Sequence, residues 1–170
     1  EGRRRKNRKI EVNIPAGVES GSRIRLVGEG AVGQNGSSNG DLYLFVTMLD
    51  HSIFERDGVE IFCSVPISIV DAALGGSVEV PTVSGGRVKV KVPPGSQNGD
   101  QFRLNGKGMP ALRSTSFGDM IITIIVEIPK NLSENQKKLL KEFNEELDQK
   151  NSPESLGFFS KVKDFWDGLA

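Results

Sequence analysis

The stretch KIEVNIPAGVESGSRIRLVGEG at residues 9–30 returns at residues 87–108 as RVKVKVPPGSQNGDQFRLNGKG, 78 positions later. The correspondence continues without a gap to residues 48 and 126, which indicates two copies of one unit. Most coincident residues shape backbones or fill cores and do no chemistry themselves. Nine of the identical positions are Pro15/Pro93, Gly17/Gly95, Gly21/Gly99, Arg25/Arg103, Leu26/Leu104, Gly28/Gly106, Gly30/Gly108, Gly40/Gly118 and Asp41/Asp119.

The hydrophobic pattern inside each copy predicts β-strands, because apolar and polar residues alternate or form short β-branched runs. We predict strands at residues 10–14, 23–26, 41–48, 59–69, 77–81, 87–92, 102–104 and 119–128. Residues 77–81 and 87–92 are expected to pair as a hairpin. Residues 71–76 predict one helical turn that ends at glycine.

After residue 128 the pattern becomes helical. Ser133 and Gln136 form a capping-box signature, and apolar residues then recur at helical spacing through Asp148. A second amphipathic helix follows, with one apolar stripe made by Leu156, Phe158, Phe159, Val162, Phe165, Trp166 and Leu169. We predict a mainly β chain with β subdomains at residues 1–78 and 79–130 and a helical tail at residues 131–170.

Composition excludes several kinds of protein. Lys+Arg and Asp+Glu both total 22, so no global field favours nucleic acid or an anionic membrane. We expect no signal peptide, because no apolar stretch follows the basic residues near the start, and no apolar run approaches the roughly 18 residues of a membrane span. Cys63 is the single cysteine, which excludes an internal disulfide and a multi-cysteine zinc site and favours a reducing, cytoplasmic compartment. The chain begins with Glu-Gly, and we interpret it as a fragment of something longer.

No motif predicts an enzyme. The GxGxxG string at residues 28–33 runs into a polar loop, whereas a dinucleotide fingerprint opens a helix. His51 and Cys63 lack an orienting third group and a recognisable oxyanion motif. Asp41 and Asp119 each follow a glycine at equivalent repeat positions, which is typical of turn formers.

Phe54 is a large aromatic residue in a polar, turn-forming segment at residues 51–58. It either closes a core or lines an exposed apolar pocket, and the sequence leaves both interpretations open.

A set of motifs in fixed order points to a known family. They are Ile-Pro-Ala-Gly-Val at 14–18, Gly-Glu-Gly at 28–30, Gly-Asp-Leu-Tyr at 40–43, His-x-x-Phe-x-Arg-x-Gly at 51–58, Ala-Leu-Gly-Gly at 73–76, Gly-Lys-Gly-Met-Pro at 106–110 and Gly-Asp at 118–119. In this order they resemble the DnaJ family of bacterial J-domain co-chaperones, over essentially all 170 residues. The Phe-Phe-x-x-Val-Lys-x-Phe-Trp tail at 158–166 is similar to the ends of bacterial members.

The resemblance implies two β-sandwich-like client-binding subdomains followed by a dimerisation segment. In this family a groove on the first subdomain takes extended apolar client segments and passes them to a DnaK-type ATPase chaperone. Phe54 matches the pocket aromatic, and we expect it to line a shallow groove near Ile10, Val12, Ile24 or Leu26. The resemblance also favours a homodimer through the tail residues Phe158, Phe159, Val162, Phe165, Trp166 and Leu169, although the same stripe could pack back on the second subdomain.

Two parts of the family are missing from this sequence. It has no His-Pro-Asp, hence no J-domain, and no Cys-x-x-Cys-x-Gly-x-Gly repeats, so we expect no cofactor here and zinc only in an upstream region. Strands that the family draws from before its zinc finger are also missing. Two rival functions remain: a purely structural dimerising spacer, and a nucleic-acid binder that uses the basic residues 3–9.

Overall fold

A computed structural model describes residues 7–33, 37–148 and 150–168. The described elements are β1 (Arg23–Leu26), β2 (Leu42–Phe45), β3 (Phe54–Asp57), β4 (Glu60–Ser68), α1 (Ile69–Leu74), β5 (Gly76–Pro81), β6 (Arg87–Val92), β7 (Gln101–Leu104), β8 (Met120–Glu127), α2 (Glu134–Glu146) and α3 (Pro153–Asp167). The predicted mainly β fold with C-terminal helices is therefore confirmed. The chain divides into two compact units, Glu1–Ile128 and Pro129–Ala170.

The first unit is built around a four-stranded sheet with the strand order β3-β4-β8-β7. Its two central strands, β4 and β8, run parallel from the pair Ile61↔Met120 to the pair Ser68↔Glu127. Two antiparallel pairs accompany this sheet, β1 with β2 and β5 with β6. The predicted hairpin is confirmed, since β5 pairs with β6 from Gly76↔Val92 to Pro81↔Arg87.

The core follows from alternation along these strands. Every second residue of β4 from Ile61 to Ile67 is buried, and β8 buries Met120, Ile122 and Ile124 almost completely. The hairpin adds valines and α1 adds Ala72, so the buried side chains form one cluster. Successive side chains of a β-strand point to opposite faces of the sheet, so every second residue of β4 can lie in the core.

The two sequence copies form the same hairpin in the same register. Arg23 pairs with Phe45 in the first copy, and Gln101 pairs with Thr123 in the second copy, both displaced by 78 residues. The adjoining turns match as well. The Gly30 N–H donates to the Gly40 carbonyl over 2.8 Å, and the Gly108 N–H donates to the Gly118 carbonyl over 2.8 Å. The predicted repeat is confirmed for this hairpin.

The strand predicted at residues 10–14 is wrong, because this segment lies outside any strand of the structure. Its repeat counterpart is β6, whose backbone hydrogen-bonds to β5. Among the described residues, no segment pairs with residues 10–14 as β5 pairs with β6, and an unpaired segment has no ladder partner for its backbone groups. The strand predicted at 41–48 is also shorter and comprises Leu42–Phe45.

The subdomain boundary predicted between residues 78 and 79 lies within β5. β4 precedes this boundary and β8 follows it, and the two strands are adjacent and parallel in the four-stranded sheet. In chain order, the β1–β2 pair ends at Phe45 and the four-stranded sheet begins with β3 at Phe54. Sequence similarity located the repeated hairpins correctly but could not show which copy the intervening strands join.

The second unit contains α2 and α3. Ser133 caps α2: its Oγ accepts the N–H of Gln136 over 3.3 Å, and its own N–H donates to Gln136 Oε1 over 2.8 Å, which confirms the predicted capping box. Pro153 stands in the first turn of α3, where its missing N–H has no helical partner to lose. No helix in the described parts of the chain is both long and apolar enough to cross a membrane.

Candidate functional site: an apolar cleft beside Phe54

Phe54 lies at the start of β3 and lines a half-open cleft with a volume of about 930 Å³. The loops before β3 and after β5, the turn before β1 and the segment after β7 all contribute to its walls. Apolar side chains of this lining belong to Met48, Leu49, Phe54, Ile61, Val83 and Met109, and the other lining residues are Glu19, Ser20, Asp50, His51, Glu55, Arg56 and Gly58.

The packing of Phe54 combines the two roles that the sequence left open. Phe54 pairs with Cys63 across β3 and β4, is half-buried, and packs against the hydrophobic core. Its remaining surface faces the cleft. Since β3 is the outermost strand of its sheet, one side of this aromatic ring can be covered by the core while another stays open to a ligand.

Arg56 joins β3 to the turn that precedes β1. Its guanidinium donates to the carbonyl oxygens of Val18 over 2.8 Å, Gly17 over 3.2 Å and Gly58 over 2.7 Å. Only 15% of the Arg56 side chain is exposed, and Glu19 lies 3.8 Å away as its acidic neighbour. A guanidinium carries several donors in a rigid plane, so one side chain can satisfy carbonyls from two segments at once.

Gly17, whose carbonyl Arg56 binds, also lies close to the backbone of Pro110 and Leu112. It has a φ of 81°, and a Cβ atom here would overlap the carbonyl oxygen of Pro110 and lie 2.9 Å from the backbone N of Leu112. Glycine is required because only it accepts both the left-handed backbone and the contact. The turn of the first repeat is therefore held against the 110–112 loop of the second repeat, beside the cleft.

The geometry does not make His51 and Cys63 a nucleophile–base pair. His51 Nδ1 accepts the backbone N–H groups of Ile53 over 3.1 Å and Phe54 over 3.3 Å. Burial raises the pKa of the Cys63 thiol, which disfavours the reactive thiolate. Among the described residues, no group of three or more His, Cys, Asp or Glu side chains is placed to hold a metal ion.

Asp41 and Asp119 are turn formers, as predicted, through equivalent contacts. Asp119 accepts the Gly106 N–H over 2.9 Å and binds Arg103 over 2.9 Å, while Asp41 accepts the Gly28 N–H over 3.0 Å. The Arg103 hydrogen bond, then that of Gly106, holds the pKa of Asp119 below its ordinary value. For Asp41 the Gly28 N–H is the main cause of a lowered pKa, with Arg25 contributing less.

The structure does not place the predicted companions of Phe54 at this cleft. Ile24 and Leu26 lie half-buried on β1, opposite Leu44 and Leu42 of β2, while Ile10 and Val12 lie in the segment outside any strand. None of these four lines the cleft beside Phe54. The physical reason is that β1 and β3 belong to different sheets.

A second, shallower cleft of about 590 Å³ lies on the other face of the β1–β2 pair. It is lined by Arg23, Arg25, Tyr43 and Phe45, and Phe45 is 71% exposed. Arg25 is held by Asp41 over 2.6 Å, so part of its charge is already matched. The predicted basic run gives little further information: residues 3–6 lie outside the described residues, and Arg8 pairs with Glu29 over 2.9 Å.

The predicted tail residues lie on α3, within the second unit. Phe158, Phe159, Phe165 and Trp166 are each more than 60% exposed, and Val162 is half-buried. The rings of Phe158 and Phe159 meet edge to face with centroids 5.4 Å apart. Leu169 lies outside the described residues.

Sequence reasoning missed most of the cleft lining. Met48, Leu49, Val83 and Met109 come from three separate connections and carry no common motif. The His-x-x-Phe spacing was the available signal for His51, whose ring stacks on Phe54 with centroids 5.1 Å apart.

Comparison with known proteins gives a consistent result. The family model "DnaJ C terminal domain" matches residues 2–129, and the family model "Chaperone protein DnaJ C-terminal region" matches residues 135–168. "Chaperone protein DnaJ" of Rhodobacter capsulatus is 60% identical over 168 residues, covering 99% of this chain and 44% of that protein. The protein of the same name from Ruegeria pomeroyi is 57% identical over 169 residues, with the same coverage. The chain thus spans less than half the length of these relatives.

Proposed function

Because the chain belongs to the DnaJ C-terminal domain family, we propose that it binds exposed apolar segments of non-native client proteins as part of a co-chaperone. The observation that carries this proposal is the half-open apolar cleft around Phe54. Its apolar walls suit large side chains that a folded client would bury. In the longer protein, we propose that such clients are delivered to a DnaK-type ATPase chaperone.

The position of β3 suggests how a client's backbone would be held. β3 is the outermost strand of its sheet and begins with Phe54, so an extended segment can add along it. Main-chain hydrogen bonds along a strand edge tolerate many sequences, while a neighbouring apolar pocket selects large side chains. This combination suits a protein that must accept many different unfolded chains.

The proposed function requires no chemical step. The client is held and released without a bond being made or broken, so this chain needs no metal, cofactor or catalytic residue. We propose a cytoplasmic location, and zinc belongs to the proposed upstream part of the longer protein.

We also propose that the chain forms a homodimer through α3. Four aromatic side chains of this helix are largely exposed, and each buried aromatic removes roughly 150–250 Å² from solvent. A patch that contacts the same patch of a second copy closes as a twofold dimer. Two linked clefts would bind one unfolded chain with higher avidity, because the second contact becomes intramolecular.

Titration with a permanently unfolded probe, reduced and carboxymethylated lactalbumin, tests client binding. Phe54→Ala should weaken binding, and so should Leu49→Ser, because both side chains line the cleft. Leu49 is 88% exposed, so its replacement leaves the core intact. Phe45→Ala is the matched control, since this exposed aromatic lies on the β1–β2 pair and outside the cleft.

The outcomes separate the possible functions. Loss of affinity in the Phe54 and Leu49 variants, with the Phe45 variant unchanged, supports the cleft as the client site. Loss in the Phe45 variant alone would move the site to the β1–β2 face. A chain that dimerises but binds no unfolded probe would instead be a structural spacer. Large loss of thermal stability in Phe54→Ala with unchanged affinity would make Phe54 a core residue only.

A further inference from the structure

His51 forms the turn that leads into β3. Its Nδ1 accepts hydrogen bonds from two successive backbone N–H groups, those of Ile53 over 3.1 Å and Phe54 over 3.3 Å. The same imidazole ring stacks on the Phe54 ring, with centroids 5.1 Å apart and an interplanar angle of 26°. One side chain therefore contacts both the backbone and the aromatic ring of Phe54.

This arrangement specifies the tautomer of the ring. A nitrogen that accepts two hydrogen bonds carries no proton, so the His51 proton lies on Nε2. The other tautomer would place an N–H donor at Nδ1, facing the two backbone N–H donors.

We infer that His51 is a positioning residue for Phe54, which holds the start of β3 and the aromatic ring in the geometry that client binding uses. This inference rests on the proposed client-binding function. His51 itself also lines the cleft, but its two backbone contacts and its stacking all converge on Phe54. Its loss would leave the Phe54 ring present but less ordered at the cleft wall.

Three substitutions separate the two contacts that His51 makes. His51→Asn keeps a side-chain oxygen able to accept backbone N–H groups two residues on, but removes the ring. His51→Phe keeps the stacking but removes the acceptor. His51→Ala removes both. We expect His51→Ala to weaken binding of the unfolded lactalbumin probe by about fivefold or more, which corresponds to loss of about one hydrogen bond. The other two variants should recover part of that loss.

Amide resonances provide the second arm of the test. In ¹H–¹⁵N spectra, the resonances of Ile53 and Phe54 should shift in His51→Ala and His51→Phe, which both lack the acceptor, and shift less in His51→Asn, which keeps one. Phe45→Ala is the matched control, because this exposed aromatic lies outside the cleft, and it should leave both resonances unchanged.

The results distinguish failure of the inference from failure of the proposed function. If Phe54→Ala weakens binding while His51→Ala binds like the wild type, the positioning role is wrong and the cleft remains the client site. If Phe54→Ala binds the probe as tightly as the wild type, the cleft is not the client site. The Ile53 and Phe54 amide resonances then still decide whether His51 holds this turn, and unchanged resonances in His51→Ala would overturn that contact too.

Discussion

Asp119, the residue before β8, binds Arg103 on β7, with the carboxylate Oδ2 and the guanidinium 2.9 Å apart. The same carboxylate accepts a turn N–H, and 78 residues earlier Asp41 and Arg25 repeat the arrangement. The pair thus closes the turn of each repeated hairpin, and Arg103 also reaches Glu60 on β4 over 3.0 Å. The second copy of the contact joins three strands of the sheet, whereas the first joins two.

Replacement of Asp119 should lower thermal stability in a graded, pH-dependent way. Asp119→Asn keeps an acceptor for the Gly106 N–H but loses the charge, so it should unfold at a higher temperature than Asp119→Ala. The pKa of Asp119 is lowered in the folded chain, chiefly by Arg103. The stabilisation is therefore present above the ordinary aspartate pKa of 3.8 and is lost as the pH falls through the lower folded value.

Thermal melts between pH 7 and pH 2 measure this effect. The difference in melting temperature between wild type and Asp119→Asn should shrink as the pH falls below 3.8. A difference that stays constant over the whole range would show that the charge of Asp119 contributes nothing to folding.

Gly17→Ala should destabilise the chain more than the same change at its repeat counterpart, Gly95. Both glycines have a left-handed backbone, with φ of 81° and 79°, so each alanine costs about 1–2 kcal/mol of unfolding free energy. Only at Gly17 does the added Cβ also meet the backbone of Pro110 and Leu112, whereas nothing lies within 4 Å at Gly95. Urea denaturation of both variants measures the difference in unfolding free energy. Equal losses would mean that the 110–112 loop moves away from the added Cβ at no cost.

Arg56→Met should weaken the junction between the first repeat and β3. The methionine retains an apolar stem of similar length but leaves the Gly17 and Val18 carbonyls without this donor, which we expect to cost about 1–3 kcal/mol of unfolding free energy. Arg87→Met is the control, because Arg87 is largely exposed and its partner Glu79 is 3.8 Å away. Urea denaturation measures the free energy of unfolding of each variant. Equal losses in the two variants would contradict a stabilising role of the Arg56 hydrogen bonds.

Truncation after Asn151 should convert a dimer into a monomer. The truncation removes α3, which carries the exposed aromatic stripe, while the unit Glu1–Ile128 should remain folded. Sedimentation velocity measures the change, with Lys161→Ser in the full chain as a control on the polar part of the same helix. A truncated chain that still sediments as a dimer would place the interface elsewhere. A full chain that stays monomeric at high concentration would favour packing of the stripe within its own chain.

Sequence motifs predicted the elements whose stabilising contacts join residues close together in the chain. The hairpin of β5 and β6, the capped start of α2 and the turn of α1 ended by Gly75 each depend on residues close in sequence. Residues 10–14 carry an equally clear alternation, yet alternation forms a strand only where a partner supplies hydrogen bonds. β3 shows the converse, since the short sequence Phe-Glu-Arg-Asp at 54–57 has a weak pattern and becomes a strand by pairing with β4.

The candidate site was predictable only at its centre. Phe54 was identifiable because a large aromatic residue in a polar, turn-forming segment indicates either a core contact or an exposed apolar pocket. Met48, Val83 and Met109 reach the same cleft from distant connections, and their proximity depends on how the sheets pack. The contacts of His51 were missed because its ring accepts the backbone N–H groups two and three residues ahead, a geometry that spacing alone does not show.

The parallel pairing of β4 with β8 has a consequence for the order of folding during synthesis. The β5–β6 hairpin closes over five connecting residues and can form soon after it leaves the ribosome, whereas the full pairing of β4 with β8 requires residue 127 to have been made. Non-local pairing is slow because loop closure precedes any gain from contact. Throughout that interval the apolar face of β4 lacks its neighbours Met120, Ile122 and Ile124, so a protein proposed to bind other non-native chains passes through a stage at which its own core is incomplete.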